Sequence, residues 1–173
     1  GMLFTQMLGA FAQYYSDALG KHVSKGLEQR AVEGKHTGGL PLGYQSCWTK
    51  DEKGGKKRLC EVEHPGGIHV HPMEGPVVTE MFHRYATGTA TLSQLAAWLN
   101  GEGFRTRNMH KLLNAEGNLS SGPRLFTTAS VRGILHNPFY AGKVQYKGKL
   151  LPGKHEALVT QEVFDLVQDT LRR

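Results

Sequence analysis

Two cysteines in 173 residues are too few to organise a fold, so a disulfide framework is not expected and a reducing cytoplasm is the default setting. No apolar run approaches the roughly 18 residues a membrane span needs, and no secretory leader is visible, so no membrane partner is expected. Acidic residues are also scarce: 15 Asp and Glu face 21 Lys and Arg, for a formal net charge of +6. What remains, 39% hydrophobic and 21% charged, suits a globular chain rather than a disordered one. The length allows one core of real size, with room for an appendage.

The positive charge is concentrated. Between Gly101 and Leu150 stand Arg105, Arg107, Lys111, Arg124, Arg132, Lys143, Lys147 and Lys149, against only Glu102 and Glu116. That surplus equals the excess of the whole chain. Concentrated positive charge favours a polyanion, held in a salt-dependent way through counterion release. A solvated basic face would explain the charge alone; double-stranded DNA is the partner class that the rest of the chain favours.

Apolar residues at Leu3, Phe4, Met7, Leu8, Phe11, Tyr15, Ala18 and Leu19 follow helical spacing from the very start, which predicts a helix over Met2–Glu33 stopped by Gly34. Its length is on the order of 45 Å, more than a small domain can cover. Because the pattern starts with no cap before it, the chain is expected to be a piece of a larger protein. In the second half the apolar stripe keeps only Val23 and Leu27, and Lys21, Lys25 and Arg30 are added. A solvent-exposed helix end accounts for those cations; a duplex alongside would also explain why such a tail stays helical. Gly34–Gly43 (GKHTGGLPLG) reads as a flexible arm that orders on DNA, with Lys35 and His36 at the minor groove.

The rest predicts an α+β fold: after the long N-terminal helix, a small mixed domain of about four helices with short antiparallel strands and hairpins. Tyr44–Thr49 and Arg58–Val62 read as a hairpin, Ile68–His71 as a third strand, and Val144–Tyr146 with Lys149–Leu151 as another hairpin. Helices are predicted over Val77–Ala86, from Thr91 with Gln94 closing a capping box, over Ala129–His136, and over Gln161–Leu171. The domain boundaries are then 1–33 for the helix, 34–43 for the arm and 44–173 for the DNA-binding body.

Ala129–His136 is the best candidate for a reading helix. Its outer face carries Thr128, Ser130, Arg132, Gly133 and His136, short polar groups around one arginine that could enter a major groove. Arg105, Arg107, Lys111, Arg124 and Lys143 would neutralise phosphates and fix register. Cys47, Cys60, His64, His69 and His71 could imitate a metal site, but structural zinc favours tight pairs such as C-x2-C and H-x3-H, and the cysteines lie thirteen apart. No metal and no cofactor is expected. A Cys47–Cys60 disulfide is geometrically possible; small hydrophobes in a hairpin are the preferred reading. Glu80, His83 and Arg84 read as a solvated helix face, and no nucleophile–base pair or phosphate loop stands out.

Five motifs, in order, carry a family resemblance: AQYYSDALGKHVSKGL, GGLPLGY, EGPVVTEMFHRYATGTATLSQLAAWLNGEGFRT, SVRGILHNPFYAGKVQYKG and GKHEALVTQEVFDLVQDTL. Their order and spacing resemble the middle of a large serine recombinase of the resolvase–invertase superfamily: the connector helix after the catalytic domain, then the recombinase domain. The resemblance implies an enzyme of mobile elements and prophages that cuts and rejoins duplex DNA through a phosphoserine linkage. It also implies a nucleophilic serine upstream of this chain, so no serine here takes that role and the fragment should be inactive alone. It further implies a dimer on each site and a tetramer at synapsis, with Leu3, Phe4, Met7, Leu8, Phe11 and Tyr15 in the subunit interface. A stand-alone DNA-binding regulator, and a metal-dependent nuclease around Cys60, His64, His69 and His71, are the alternatives.

Overall fold

The computed structural model describes residues 2–50, 52, 55–58, 60–61, 63–106, 112–113, 119–120 and 124–172. A 31-residue helix, α1 (Met2–Val32), leads the chain. It stops where the sequence indicates. Gly34 takes φ +70 and donates to the Ala31 carbonyl, while the Lys35 N–H reaches the Arg30 carbonyl. This is a glycine cap, and a Cβ there would meet the Pro152 carbonyl at 2.8 Å.

The two halves of α1 differ in how they meet the body. The apolar half stands exposed, with Phe4, Met7, Leu8, Phe11 and Tyr15 between 54% and 75% accessible; the Leu3 side chain lies outside the described residues. The polar half is the one that docks. Ala31 is fully buried, the Ser24 carbonyl accepts from the Tyr146 hydroxyl at 2.8 Å, and Lys147 Nζ donates to Ser24 Oγ at 2.8 Å. Small residues let the helix backbone approach the body closely, a contact that a search for large apolar residues overlooks.

Residues 34–43, read from the sequence as a flexible arm, make several contacts with α1 and the body. The Arg30 guanidinium donates to the His36 carbonyl, and the His36 ring meets Phe139 edge-on at 5.1 Å. The Tyr140 hydroxyl donates to the Leu42 carbonyl at 2.9 Å, and the Gly43 N–H to Glu74 Oε2 at 3.0 Å. Backbone carbonyls carry most of this attachment, so composition does not reveal it.

The predicted strand Tyr44–Thr49 is two strands. β1 (Tyr44–Ser46) pairs antiparallel with β4 (Ile68–Val70), whereas β2 (Trp48–Lys50) pairs with β3 (Lys56–Arg58). The break falls at Cys47, which is disulfide-bonded to Cys60. This corrects the reading of the two cysteines as separate small hydrophobes.

The body is built on α2 (Glu74–Ala86), α3 (Leu92–Gly101), α4 (Thr128–Leu135) and α5 (Gln161–Arg172). Each contributes apolar residues at helical spacing: Val78, Met81 and Phe82; Leu95 and Leu99; Val131 and Leu135; Phe164, Val167 and Leu171. All lie in one buried cluster. α2 starts earlier than predicted because His71 Nδ1 accepts from the Met73 and Glu74 N–H groups at its N-terminus. The short pair β5 (Leu112–Leu113) and β6 (Leu119–Ser120) lies between α3 and α4. The hairpin β7 (Lys143–Tyr146) and β8 (Lys149–Pro152) turns at Lys147 and Gly148, both with positive φ, as a tight hairpin demands. Against it packs an aromatic cluster. The Tyr44 hydroxyl donates to the Glu156 carbonyl at 2.7 Å, and the His155 ring stacks on Phe139 at 3.6 Å. Burial raises the Tyr44 phenol well above its ordinary range and lowers His155 below its own. Among the described residues, no helix is long and apolar enough to cross a membrane.

Candidate nucleic-acid interface

α4 is held by a capping box. The Ser130 N–H donates to Thr127 Oγ1 at 3.2 Å and the Thr127 N–H to Ser130 Oγ at 2.8 Å. Ser130, expected on the reading face, therefore spends its hydroxyl on the cap. Thr128, Ala129, Arg132, Gly133 and His136 remain exposed. Two of these also reach sideways to α5. Arg132 Nη2 donates to the Leu171 carbonyl at 3.0 Å, and His136 Nδ1 meets Gln168 Oε1 at 2.7 Å. The terminal carbonyls of α5 have no partner within their own helix, and Arg132 satisfies one of them. The expectation of an arginine aimed wholly outward is corrected accordingly.

Beside α4 lies the base of the loop that joins it to α3. Thr106 and Arg124 form an antiparallel bridge, with the Thr106 N–H donating to the Arg124 carbonyl at 2.9 Å. This places Arg105 and Arg124, both exposed, at the two ends of the loop. Arg105 Nη1 donates to the Phe104 and Asn100 carbonyls, which fixes its side chain against the end of α3. Arg107 and Lys111 lie outside the described residues.

A second basic region joins α1 to the β7–β8 hairpin. Lys21 and Lys25 are exposed on either side of Ser24, where Lys147 is hydrogen-bonded, and Lys143 is half-exposed at the start of β7. Lys147 is counted in the basic stretch of the sequence but not assigned a contact there; its place in a Lys-Gly turn next to a basic helix was the available signal. The two cations at and just beyond the end of α1 are engaged locally. Arg30 is bonded to the His36 carbonyl, and Lys35 pairs with Glu33 at 2.7 Å. That lysine's hydrogen bond is the first cause holding the Glu33 carboxyl below its ordinary value. His36 is half-buried, and desolvation lowers its pKa, so it is a poor cation for a phosphate.

The structure also gathers four of the five residues that the sequence offered as an imitation of a metal site. The ligand atoms of Cys47, Cys60, His64 and His69 all lie within 4.8 Å of one another. His71 is drawn away from this group by its role at the start of α2. The cysteine spacing spoke against metal, but in the run Cys60-x3-His64-x4-His69 the histidine spacing does fit a zinc pattern.

Comparisons with known proteins bear on this architecture. No curated protein matches the sequence. A crystal structure of an LSR–DNA complex, LSR denoting large serine recombinase, superposes with TM-score 0.54 at 18% identity, over 86% of this chain and 37% of that one. A structure described by the sequence requirements of the Listeria innocua prophage attP site gives TM-score 0.54 at 17% identity, over 86% of this chain and 50% of that one. The chain thus spans half or less of the length of these two, and identities this low establish a shared fold. The family model described as Recombinase matches residues 72–173, more than half of the chain, from the turn before α2 through α5. The chain belongs to the Recombinase family.

Proposed function

We propose that this chain is the DNA-binding portion of a serine site-specific recombinase that cuts and rejoins duplex DNA at specific sites. The family match over residues 72–173 is the observation that carries this reading. The chain's own chemistry supports it. Its charge excess lies between Gly101 and Leu150, on the elements that hold Arg105, Arg124 and α4 together. In this reading catalysis belongs to a separate domain, as the resemblance to large serine recombinases implies.

In this reading, Arg105, Arg124 and Lys143 sit on loop ends and a strand start, where a long cation reaches phosphate without entering a groove. Thr128 and Arg132, exposed along α4, face base edges. Lys21 and Lys25 let α1 cross the duplex, so residues 1–33 act as a connector and 44–173 as the binding body. Phe4, Met7, Leu8, Phe11 and Tyr15 then form the surface that the catalytic domain or a second subunit covers in dimers and tetramers.

Selection from a random duplex library with the purified chain tests the proposal. Enrichment of one sequence, bound with a steep salt dependence and no covalent adduct, is the expected outcome. Failure to enrich any sequence, or formation of a covalent protein–DNA adduct, would overturn it.

A further inference from the structure

We propose that Cys47, Cys60, His64 and His69 form a closed four-ligand zinc site in the reduced protein, and that this metal staples the hairpin insert of β2 and β3 onto the β1–β4 pair. Two thiolates and two imidazoles with donor atoms inside 4.8 Å are a set that suits tetrahedral structural zinc. Soft sulfur ligands select against magnesium and calcium, and with four protein ligands no position stays open for catalysis.

The positions fit. Nδ1 of His69 lies 3.3 Å from the Cys47 sulfur and 3.2 Å from the Cys60 sulfur. A tetrahedron with metal–sulfur bonds of about 2.3 Å and metal–nitrogen bonds of about 2.0 Å has sulfur–nitrogen edges of about 3.5 Å, close to what His69 already shows. The His64 ring stacks on that of His69 with centroids 4.9 Å apart. Nε2 of His69 faces the side-chain amide nitrogen of Gln45, its cross-strand neighbour. With Nδ1 on the metal, Nε2 carries the proton, so the Gln45 amide would turn its oxygen to accept from it, and such a bond orients an imidazole for metal binding.

The insert also needs a staple. A two-stranded hairpin of this length is marginal without apolar cover. Trp48, Lys57, Arg58, Glu61 and Glu63 are all exposed, and Cys47 and Ile68 are the buried apolar residues among those described from 47 to 68. The Cys47–Cys60 disulfide is one possible staple. It leaves His64 and His69 crowded on the sulfurs without a role, and a reducing compartment opens it.

The exchange balances simply. A dithiol reductant supplies two electrons and two protons to the Cys47–Cys60 bond and leaves as its own disulfide. The two thiols then release two protons as one Zn²⁺ binds two thiolates and two neutral imidazoles.

The test uses the whole chain, reduced with a phosphine, stripped with a chelator and titrated under argon with Co²⁺ and then Zn²⁺. One equivalent of cobalt should bind with the visible bands of a tetrahedral ion and a near-ultraviolet thiolate charge-transfer band, and zinc should displace it. His64→Ala and His69→Ala should each alter the visible bands and weaken binding, Gln45→Ala should cost on the order of tenfold in affinity, and His71→Ala should leave metal binding unchanged. Far-ultraviolet circular dichroism keeps the variants interpretable, because most of the helix lies outside the insert. Lack of stoichiometric uptake by protein whose thiols are shown free by alkylation overturns the proposal. So does uptake abolished by His71→Ala and indifferent to His64→Ala.

Discussion

Asn100 spends both ends of its side-chain amide on the backbone of Phe126. Its Nδ2 donates to the Phe126 carbonyl at 2.9 Å, and its Oδ1 accepts from the Phe126 N–H at 2.7 Å. Asn100 sits in the last turn of α3, and Phe126 is buried just before the Thr127 cap of α4. The whole basic loop therefore leaves and returns at a fixed place, and α4 starts in a fixed direction.

Asn100→Ala should accordingly cost about 1–3 kcal/mol, because it strands both polar groups of a buried residue's backbone. Asn100→Asp should cost as much: it keeps the acceptor for the N–H but sets a carboxylate against the Phe126 carbonyl. Urea unfolding followed by circular dichroism measures both. A loss below about half a kcal/mol for each would mean that the core, not this pair, fixes α4.

Arg132 carries a structural duty beside any contact with DNA. Arg132→Ala removes the donor to the Leu171 carbonyl and should lower stability by about 1 kcal/mol without DNA present. Thermal unfolding of the free protein checks this. An unchanged midpoint would show that water replaces the guanidinium at no cost.

Acid should destabilise the body through His155. Burial, the largest cause, holds its folded pKa below the ordinary value, although its contact with the Phe139 carbonyl works the other way and His36 adds repulsion. A lowered folded pKa means that the unfolded chain takes up the proton first. Stability is thus fully present above about pH 6.5 and falls as pH drops through and below that value. Urea midpoints between about pH 7.5 and pH 5 should decline in the native chain and decline less in His155→Gln. Equal slopes would assign the acid sensitivity to other groups, His36 first among them.

The exposed stripe of α1 should make the chain self-associate. Phe4→Ser with Phe11→Ser should reduce the mass seen in sedimentation at high concentration and leave the unfolding midpoint unchanged, since both side chains are more than 60% accessible. A lowered midpoint would show that the stripe supports the body.

The helices were legible because each carries its own period, cap and stop: Thr91 with Gln94, Thr127 before Val131 and Leu135, Gly34 after α1. The polar ties were not. Nothing in the order of residues says that Asn100 will hold Phe126, that Arg132 will reach Leu171, or that Ser24 will receive Tyr146 from 122 residues away. Such bonds depend on how elements pack, and packing is decided by the whole core. The same reason led the sequence away from the Cys47–Cys60–His64–His69 cluster, whose cysteines stand thirteen apart. Its members are spread over 23 residues, and they converge only because β1 pairs with β4 while β2 turns back through β3.

Positioning and reading can be separated by salt. Lys143 stands at a strand start and has no helix to carry it into a groove, so Lys143→Ala should weaken binding to every duplex alike. It should also reduce the slope of log affinity against log salt by about one unit, the share of one phosphate contact. Arg132→Ala should instead cost on the order of 1–3 kcal/mol on the selected sequence and relax preference at one base position. Its stability loss does not confuse this result if binding is measured well below the unfolding midpoint, where folded protein still dominates. The bond to Leu171 occupies Nη2, so a base contact would have to use the rest of the guanidinium or give up that bond on DNA. If Arg132→Ala weakens selected and scrambled duplexes equally, Arg132 is a phosphate contact or a structural tie. Base reading by α4 would then fall to Thr128 and its exposed neighbours, and Thr128→Val on the same pair of duplexes would decide it.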